Sequence, residues 1–278
     1  MSYKIICDSC TDLPSKSKKN EDFVFVPLIL HVDDVSIIDD ETFDQKDFIK
    51  RMKESEHCPK SSCPSPDSYM KYFDQGDDIY VITLSAALSG SYNSALLAKN
   101  LYLEENPHKN ITIIDSRSAS VGQALLALKV QELAKKGMKF QEIEKTVEQF
   151  RDEMGTKFVL ESLDNLRKNG RLTGLKAIVA SVLNIKPVMG ATNEGTIIQV
   201  DQGRGMTKAL SLLAKAVEED VVNPADKILG IAHCNNYERA VYVKEQILKR
   251  LKFKDVIIVE TAGVSTLYAN DGGIIVCY

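Results

Sequence analysis

The chain has 278 residues, with 35 Lys and Arg against 39 Asp and Glu and a formal net charge of -4. That length exceeds one ordinary hydrophobic core, so two domains are expected, and basic residues dispersed without aromatic interleaving leave nucleic-acid binding without support. No apolar stretch reaches membrane-spanning length, and residues 1–15 carry acids where a secretory leader would be apolar, so a cytoplasmic location is expected.

In chain order, Tyr3–Cys7 reads as a strand, Phe23–Val32 as an extended run, and Thr42–Ser55 as a helix. A helix opens at Ser65, with Pro66 at its first position and Asp67 at its positive dipole end, and runs to about Gly76. Strands follow at Ile79–Leu84 and Ile111–Ile114, and helices at Tyr92–Leu103, Val121–Lys136 and Phe140–Met154. Short apolar runs alternating with amphipathic helices predict a three-layer α/β/α domain over residues 1–155, with a parallel sheet covered on both faces.

Beyond Gly155 the pattern changes. Lys157–Glu161 reads extended, Leu163–Lys168 as a helix capped by Gly170, and Leu175–Leu183 as an apolar helix. Pro187–Ala191 and Thr196–Asp201 flank a turn signature at residues 192–195 and form a hairpin. Helices at Thr207–Glu219 and Tyr237–Leu251 alternate with strands at Ile228–Ala232 and Val256–Glu260, and Gly273–Tyr278 closes as a strand. Residues 156–278 are therefore expected to form a two-layer α/β domain with a mixed sheet. The fold class is α/β throughout.

Two serine-rich segments stand out, SSCPSP at Ser61–Pro66 and SAALSGSYNSA at Ser85–Ala95. Serines before helices are ordinarily caps, but Ser61, Ser62, Ser85, Ser89 and Ser91 exceed what capping requires. Ser89 and Gly90 fall at a strand-to-helix turn. Free backbone N–H groups, hydroxyl donors and no side chain at Gly90 suit that turn to a carboxylate or phosphate. In an open parallel sheet, ligands bind beyond the carboxyl ends of the strands, and Asp8, Ser9, Ser85, Ser89 and Ser116 all fall there.

Six cysteines include a C-x-x-C pair, Cys7 and Cys10, with Cys58 and Cys63 available to complete a thiolate site. Cys7 ends a buried-looking strand, so reduced structural thiols are expected, with no metal and no cofactor.

Several segments together resemble the bacterial DegV family. SSCPSP is similar to its TSQPSP-type loop, LSGSYNSA at Leu88–Ala95 to its LSGTYQSA element, and Asp8–Leu13 (DSCTDL) to its amino-terminal DSTADL. Further along, Ile114-Asp115-Ser116 with Gly122 resembles its central DS segment, Leu163–Leu172 its L-x-x-L-x-K-G-G-R helix end, and Lys186-Pro187 with Gly195 its K-P hairpin. The matches span nearly the whole chain. The resemblance implies a non-catalytic carrier holding one long-chain fatty acid in a buried tunnel and presenting it to a separate ATP-dependent fatty acid kinase. It places Ser61 or Ser62 and Ser89 at the carboxylate, and Gly90 and Ser116, at the same strand ends, are expected to bind the ligand with them. Hydroxyls and N–H groups would grip the head group without the point charge of an Arg or Lys pair.

The chain departs from the family at two places. A family histidine near the head group has no counterpart in Gly263–Gly273; Leu267 or Tyr268 occupies that neighbourhood, and a tyrosine hydroxyl is one substitute. Cys63 replaces the usual Gln. Arg171 and Arg204 follow or sit between turn residues, read as exposed, and match arginines of the family's kinase-docking face.

Two other classes remain open on the residues alone. One is a hydrolase or phosphatase acting through Ser89 or Asp8, although no G-x-S-x-G, H-E-x-x-H, phosphate-loop or dinucleotide fingerprint is present. The other is a binding protein for a different small anion.

Overall fold

The structure, a computed structural model, describes residues 2–172 and 184–278. The helix expected over Leu175–Leu183 lies outside the described residues.

The chain enters through β1 (Tyr3–Asp8), α1 (Ser15–Lys18), β2 (Phe23–Val26), β3 (Ile29–Val32) and β4 (Val35–Ile38). It continues through α2 (Gln45–Glu54), β5 (Lys60–Ser62), α3 (Pro66–Met70), β6 (Asp78–Thr83), α4 (Ser91–Glu105), β7 (Asn110–Asp115), α5 (Val121–Lys135) and α6 (Phe140–Asp152). Next come β8 (Thr156–Val159), α7 (Asp164–Lys168), β9 (Ile185–Ala191), β10 (Ile197–Arg204) and α8 (Met206–Asp220). The last elements are β11 (Ile228–His233), α9 (Tyr237–Leu248), β12 (Asp255–Glu260), α10 (Gly263–Ala269) and β13 (Ile274–Cys277).

Four parallel strands in the order β2-β1-β6-β7 form the first sheet. Every residue of β6 is buried, as a continuous apolar run between two helical layers requires. Helices α3 and α4 pack together on one side, while α5 and α6 pair on the other. A six-stranded mixed sheet, β10-β9-β8-β13-β11-β12, is drawn entirely from residues after Gly155. Helices α8 and α9 pack against it and each other.

Helix α5 lies between the two sheets. Its Val121, Ala124 and Leu125 share one core with Ile5, Cys7, Tyr80 and Ile82 of the first sheet and Ala232, Val259 and Cys277 of the second. Contact on both faces explains why α5 is apolar nearly all round rather than striped.

Three parts of the fold differ from the sequence reading. The apolar run Phe23–Val32 splits at Pro27, which has no N–H to continue a ladder. Its first part joins β1 in parallel, and its second pairs antiparallel with β4 and β5 in a separate three-stranded sheet. That sheet is not visible in the sequence, because β5 is three residues long and polar. The helix from Ser65 stops at Met70, followed by a separate turn of 3₁₀ helix at Phe73–Gln75, and the Ser65 hydroxyl meets Ser68 Oγ at 3.0 Å instead of capping the backbone.

Residues 263–269, read only as a departure from a motif, form α10. Its N-terminal N–H groups are held by two buried carboxylates from far upstream. Asp12 Oδ1 accepts from Ala262 N at 2.7 Å, and Asp39 accepts from Gly263 N at 2.7 Å and Val264 N at 2.9 Å. The carboxyl oxygens satisfy N–H groups that a helix start leaves without an intrahelical partner, so these bonds fasten α10 to the first half of the chain.

Candidate functional site

The loops after β6 and β7 are built as one unit. Asp115 Oδ1 accepts from Ala86 N and Arg117 N, each at 3.0 Å, and Ser85 N donates to Ser118 O at 3.0 Å. Ser116 is part of this bracing: its buried hydroxyl donates to Ser118 O at 3.0 Å and accepts from Ser118 N at 3.1 Å. Both capacities of the hydroxyl serve the turn, so Ser116 shapes the loop and does not face the site described next.

Between the first sheet and the six-stranded sheet lies a narrow cavity of about 100 Å³. Leu84, Leu88, Phe158, Leu160, Ile197 and Ile275 give it an apolar wall. At one end stand Ser61, Ser89, Arg171 and Tyr268.

Ser61 Oγ and Tyr268 Oη are 3.1 Å apart. The Arg171 guanidinium lies over the Tyr268 ring, 5.7 Å from its centroid, and donates from Nε to Leu88 O at 3.1 Å and from NH1 to Asn169 O at 2.6 Å. Burial pushes the Tyr268 phenol above its usual pKa, with the Ser61 hydrogen bond and the Arg171 charge opposing it. Tyr268 is therefore a neutral donor at physiological pH. Ser89 Oγ lies 3.0 Å from Ser91 Oγ and accepts from Ser91 N at 3.2 Å. A mouth with three hydroxyls and one guanidinium, backed by hydrocarbon, suits an anion with an apolar tail.

The structure separates the predicted residues. Ser61 and Ser62 are neighbours on β5, and alternation along a strand sends their side chains to opposite faces. Ser61 reaches the cavity; Ser62 is exposed, its hydroxyl meets His31 Nε2 at 2.9 Å, and it does not line the cavity. Gly90 opens α4 without entering the cavity wall. A Cβ there would stand 3.0 Å from Cys63 Sγ, so its missing side chain lets the β5 segment approach the helix.

Arg171 is half-buried and turned into the cavity, which corrects its reading as exposed surface. Backbone carbonyls of Leu88 and Asn169 draw its fork inward. Arg204 is exposed at the end of β10, as expected. Tyr268, not Leu267, takes the position opposite Ser61; Leu267 is fully buried in the core with Leu28, Leu30 and Phe48. Ser265 and Cys10 also line the wall, their side chains 3.6 Å apart, and no local sequence signal marks either as part of a site.

Asp8 stands apart from this mouth. Its buried carboxylate accepts from Leu84 N at 2.7 Å, Gln123 Nε2 at 2.8 Å and Cys10 N at 3.2 Å, which ties β1 to the β6 loop and α5. Burial raises its pKa to about 6, the donors holding it from going higher. Cys7 packs in the core around α5 whereas Cys10 faces the cavity, so the C-x-x-C pair divides between two environments. Among the described residues, no group of three or more His, Cys, Asp or Glu is placed to hold a metal ion.

A family model described as an uncharacterised protein of the DegV family matches residues 2–278. A DegV domain-containing protein of Streptococcus pyogenes serotype M1 is 37% identical over 284 residues, covering 100% of this chain and 99% of the relative. Among solved structures, a DegV family protein from Ruminococcus gnavus with vaccenic acid is similar with a TM-score of 0.97 and 52% identity, covering 100% of this chain and 99% of that one. The Streptococcus pneumoniae Fatty Acid Kinase (Fak) B3 protein loaded with linoleic acid is similar with a TM-score of 0.92 and 34% identity, at 100% and 99% coverage. The chain belongs to the DegV family.

Proposed function

We propose that this member of the DegV family binds one long-chain fatty acid in the cavity and presents its carboxylate to an ATP-dependent kinase subunit. The observation that carries the reading is the cavity itself: hydrocarbon along its wall, with Ser61, Ser89, Tyr268 and Arg171 gathered at one end. Fatty acids in the similar structures from R. gnavus and S. pneumoniae support it.

In this reading, the hydroxyls of Ser61, Ser89 and Tyr268 donate to the carboxylate. Arg171 adds a positive charge, held back by its bonds to Leu88 O and Asn169 O so that it orients the head group rather than enclosing it. One carboxylate oxygen remains free to attack the terminal phosphoryl of ATP, forming an acyl phosphate and releasing ADP. Such a carrier needs no nucleophile of its own, and Ser89 Oγ is engaged with Ser91 rather than with an imidazole. We read residues 1–155 and 156–278 as two domains with the acyl chain shut between them. Exposed Arg204 is assigned to the face that meets the kinase.

Mass spectrometry of the lipid extracted from denatured protein tests the carrier reading, with one long-chain fatty acid per chain expected. Incubation of the loaded protein with a purified fatty acid kinase subunit and ATP tests presentation, with acyl phosphate formed only when both proteins are present. Recovery of a sugar phosphate or other short anion in place of a fatty acid would overturn the reading.

A further inference from the structure

The cavity has a second polar end. Thr156, Phe158 and Leu160 take every second position along and just past β8, and all three line the wall, so the cavity follows this strand for about 13 Å at ~3.3 Å per residue. Leu160 leads to the mouth, through Leu166 and Tyr268. Thr156, at the other limit, meets Ser118 and Arg117.

Ser118 Oγ and Thr156 Oγ1 lie 2.8 Å apart, both residues buried, and their other polar neighbour is the thiol of Cys277 at 3.7 and 3.6 Å. Two hydroxyls that bond each other use one of their two protons. Among the described residues, the second proton and the spare lone pairs have a weakly bonding sulfur beside them. Arg117 forms the adjoining wall, its NH1 3.0 Å from Asp152 Oδ1, and with Thr156 and Ala191 it also borders a polar surface groove.

Resting on the fatty acid reading, we infer that Ser118 and Thr156 form a tail-end subsite, so that the protein accepts long-chain fatty acids carrying a hydroxyl on the half of the chain remote from the carboxylate. A hydroxyl both donates and accepts, and so inserts into the Ser118–Thr156 pair with every polar atom satisfied. A second carboxylate fits the pair itself less well, because an ionised carboxylate accepts hydrogen bonds and has no proton to donate into the Ser118–Thr156 pair.

Competition against a fluorescent fatty acid tests this, using octadecanoic acid, the same acid hydroxylated close to the methyl end, and an isomer hydroxylated at mid-chain, where the wall is hydrocarbon. Burying an unpartnered hydroxyl weakens binding by about tenfold or more. The mid-chain isomer is expected to show that loss, while the distal isomer binds within about threefold of octadecanoic acid. In a Ser118→Ala, Thr156→Val protein the distal isomer is expected to fall about tenfold relative to octadecanoic acid measured on the same protein. Should that variant not fold, the wild-type series decides alone. Equal losses for the two isomers would sink the subsite and leave the fatty acid reading standing. Binding of none of the three acids would overturn both.

Discussion

Tyr268 Oη stands 3.1 Å from Ser61 Oγ although 207 positions separate the two residues in the chain. The contact joins a short edge strand near the N-terminus to a helix near the C-terminus. It also places at the cavity a hydroxyl whose pKa burial raises, so this donor stays protonated throughout the physiological range.

Removing either hydroxyl should weaken fatty acid binding. Tyr268→Phe keeps the ring under Arg171 and deletes one donor, and Ser61→Ala deletes the other; each is expected to cost about five- to tenfold in affinity, about 1 kcal/mol. Ser62→Ala, one residue away on the outer face, should stay within about twofold. Displacement of a fluorescent fatty acid measures all three, and a Ser62 effect as large as that of Ser61 would contradict the assigned strand faces.

The two arginines should part company. Arg171→Met is expected to lower fatty acid affinity by about tenfold or more with no kinase present, because its guanidinium faces the cavity. Arg204→Glu should leave that affinity intact and reduce kinase-dependent acyl phosphate formation, because exposed charges act mainly on encounter with a partner. If Arg204→Glu turned over as fast as the wild type at limiting kinase, its docking role would be lost.

Asp39 should make stability depend on pH in a stated direction. Burial pushes its carboxyl up from 3.8 to about 6, against the hydrogen bonds it accepts from Val264 N, Ser9 and Gly263 N. A raised carboxyl favours the folded state while protonated, so its contribution is complete below about 3.8 and is lost as pH rises through about 6. The stability of the wild type relative to Asp39→Asn should therefore fall by about 3 kcal/mol between pH ~4 and pH ~6.5. Asp8, raised in the same way, is present in both proteins and cancels. Urea unfolding of the pair across that range measures the difference, and a difference that is flat or grows with pH would contradict the assignment.

Gly263→Ala should loosen α10. An added Cβ would come within 2.5 Å of Asp39 Oδ1 and 2.6 Å of Leu30 Cδ1, so the helix must shift and its bonds to Asp39 stretch. A stability loss of about 2–4 kcal/mol is expected, as for overpacking joined to a broken buried hydrogen bond. Fatty acid affinity should fall with it, since Tyr268 rides on the same helix. An unchanged urea midpoint would mean that the contact is not tight.

Much of the fold and part of the site can be read directly from the residues. Apolar runs such as Ile79–Leu84 become β6 because a strand buried on both faces has no polar positions to alternate. The loop after it carries Ser89 to the cavity because parallel strands of an open sheet present their carboxyl ends to ligands. These features follow from local composition and period. Ser116 shows the limit: it sits on the right edge, yet its hydroxyl is consumed by its own loop.

The amino-acid sequence by itself determined the alternating α/β pattern, the placement of the serine-rich loops at strand ends and the resemblance that led to a lipid. Tertiary structure alone decided which hydroxyls share a mouth, that Arg171 turns inward, that Tyr268 closes on Ser61, and that hydroxyls of Ser118 and Thr156 wait at the far end. The reason is physical. Period and propensity act over a few neighbouring residues, whereas the direction of a side chain on a short strand or a single-turn helix is fixed by pairing and burial against segments hundreds of positions away.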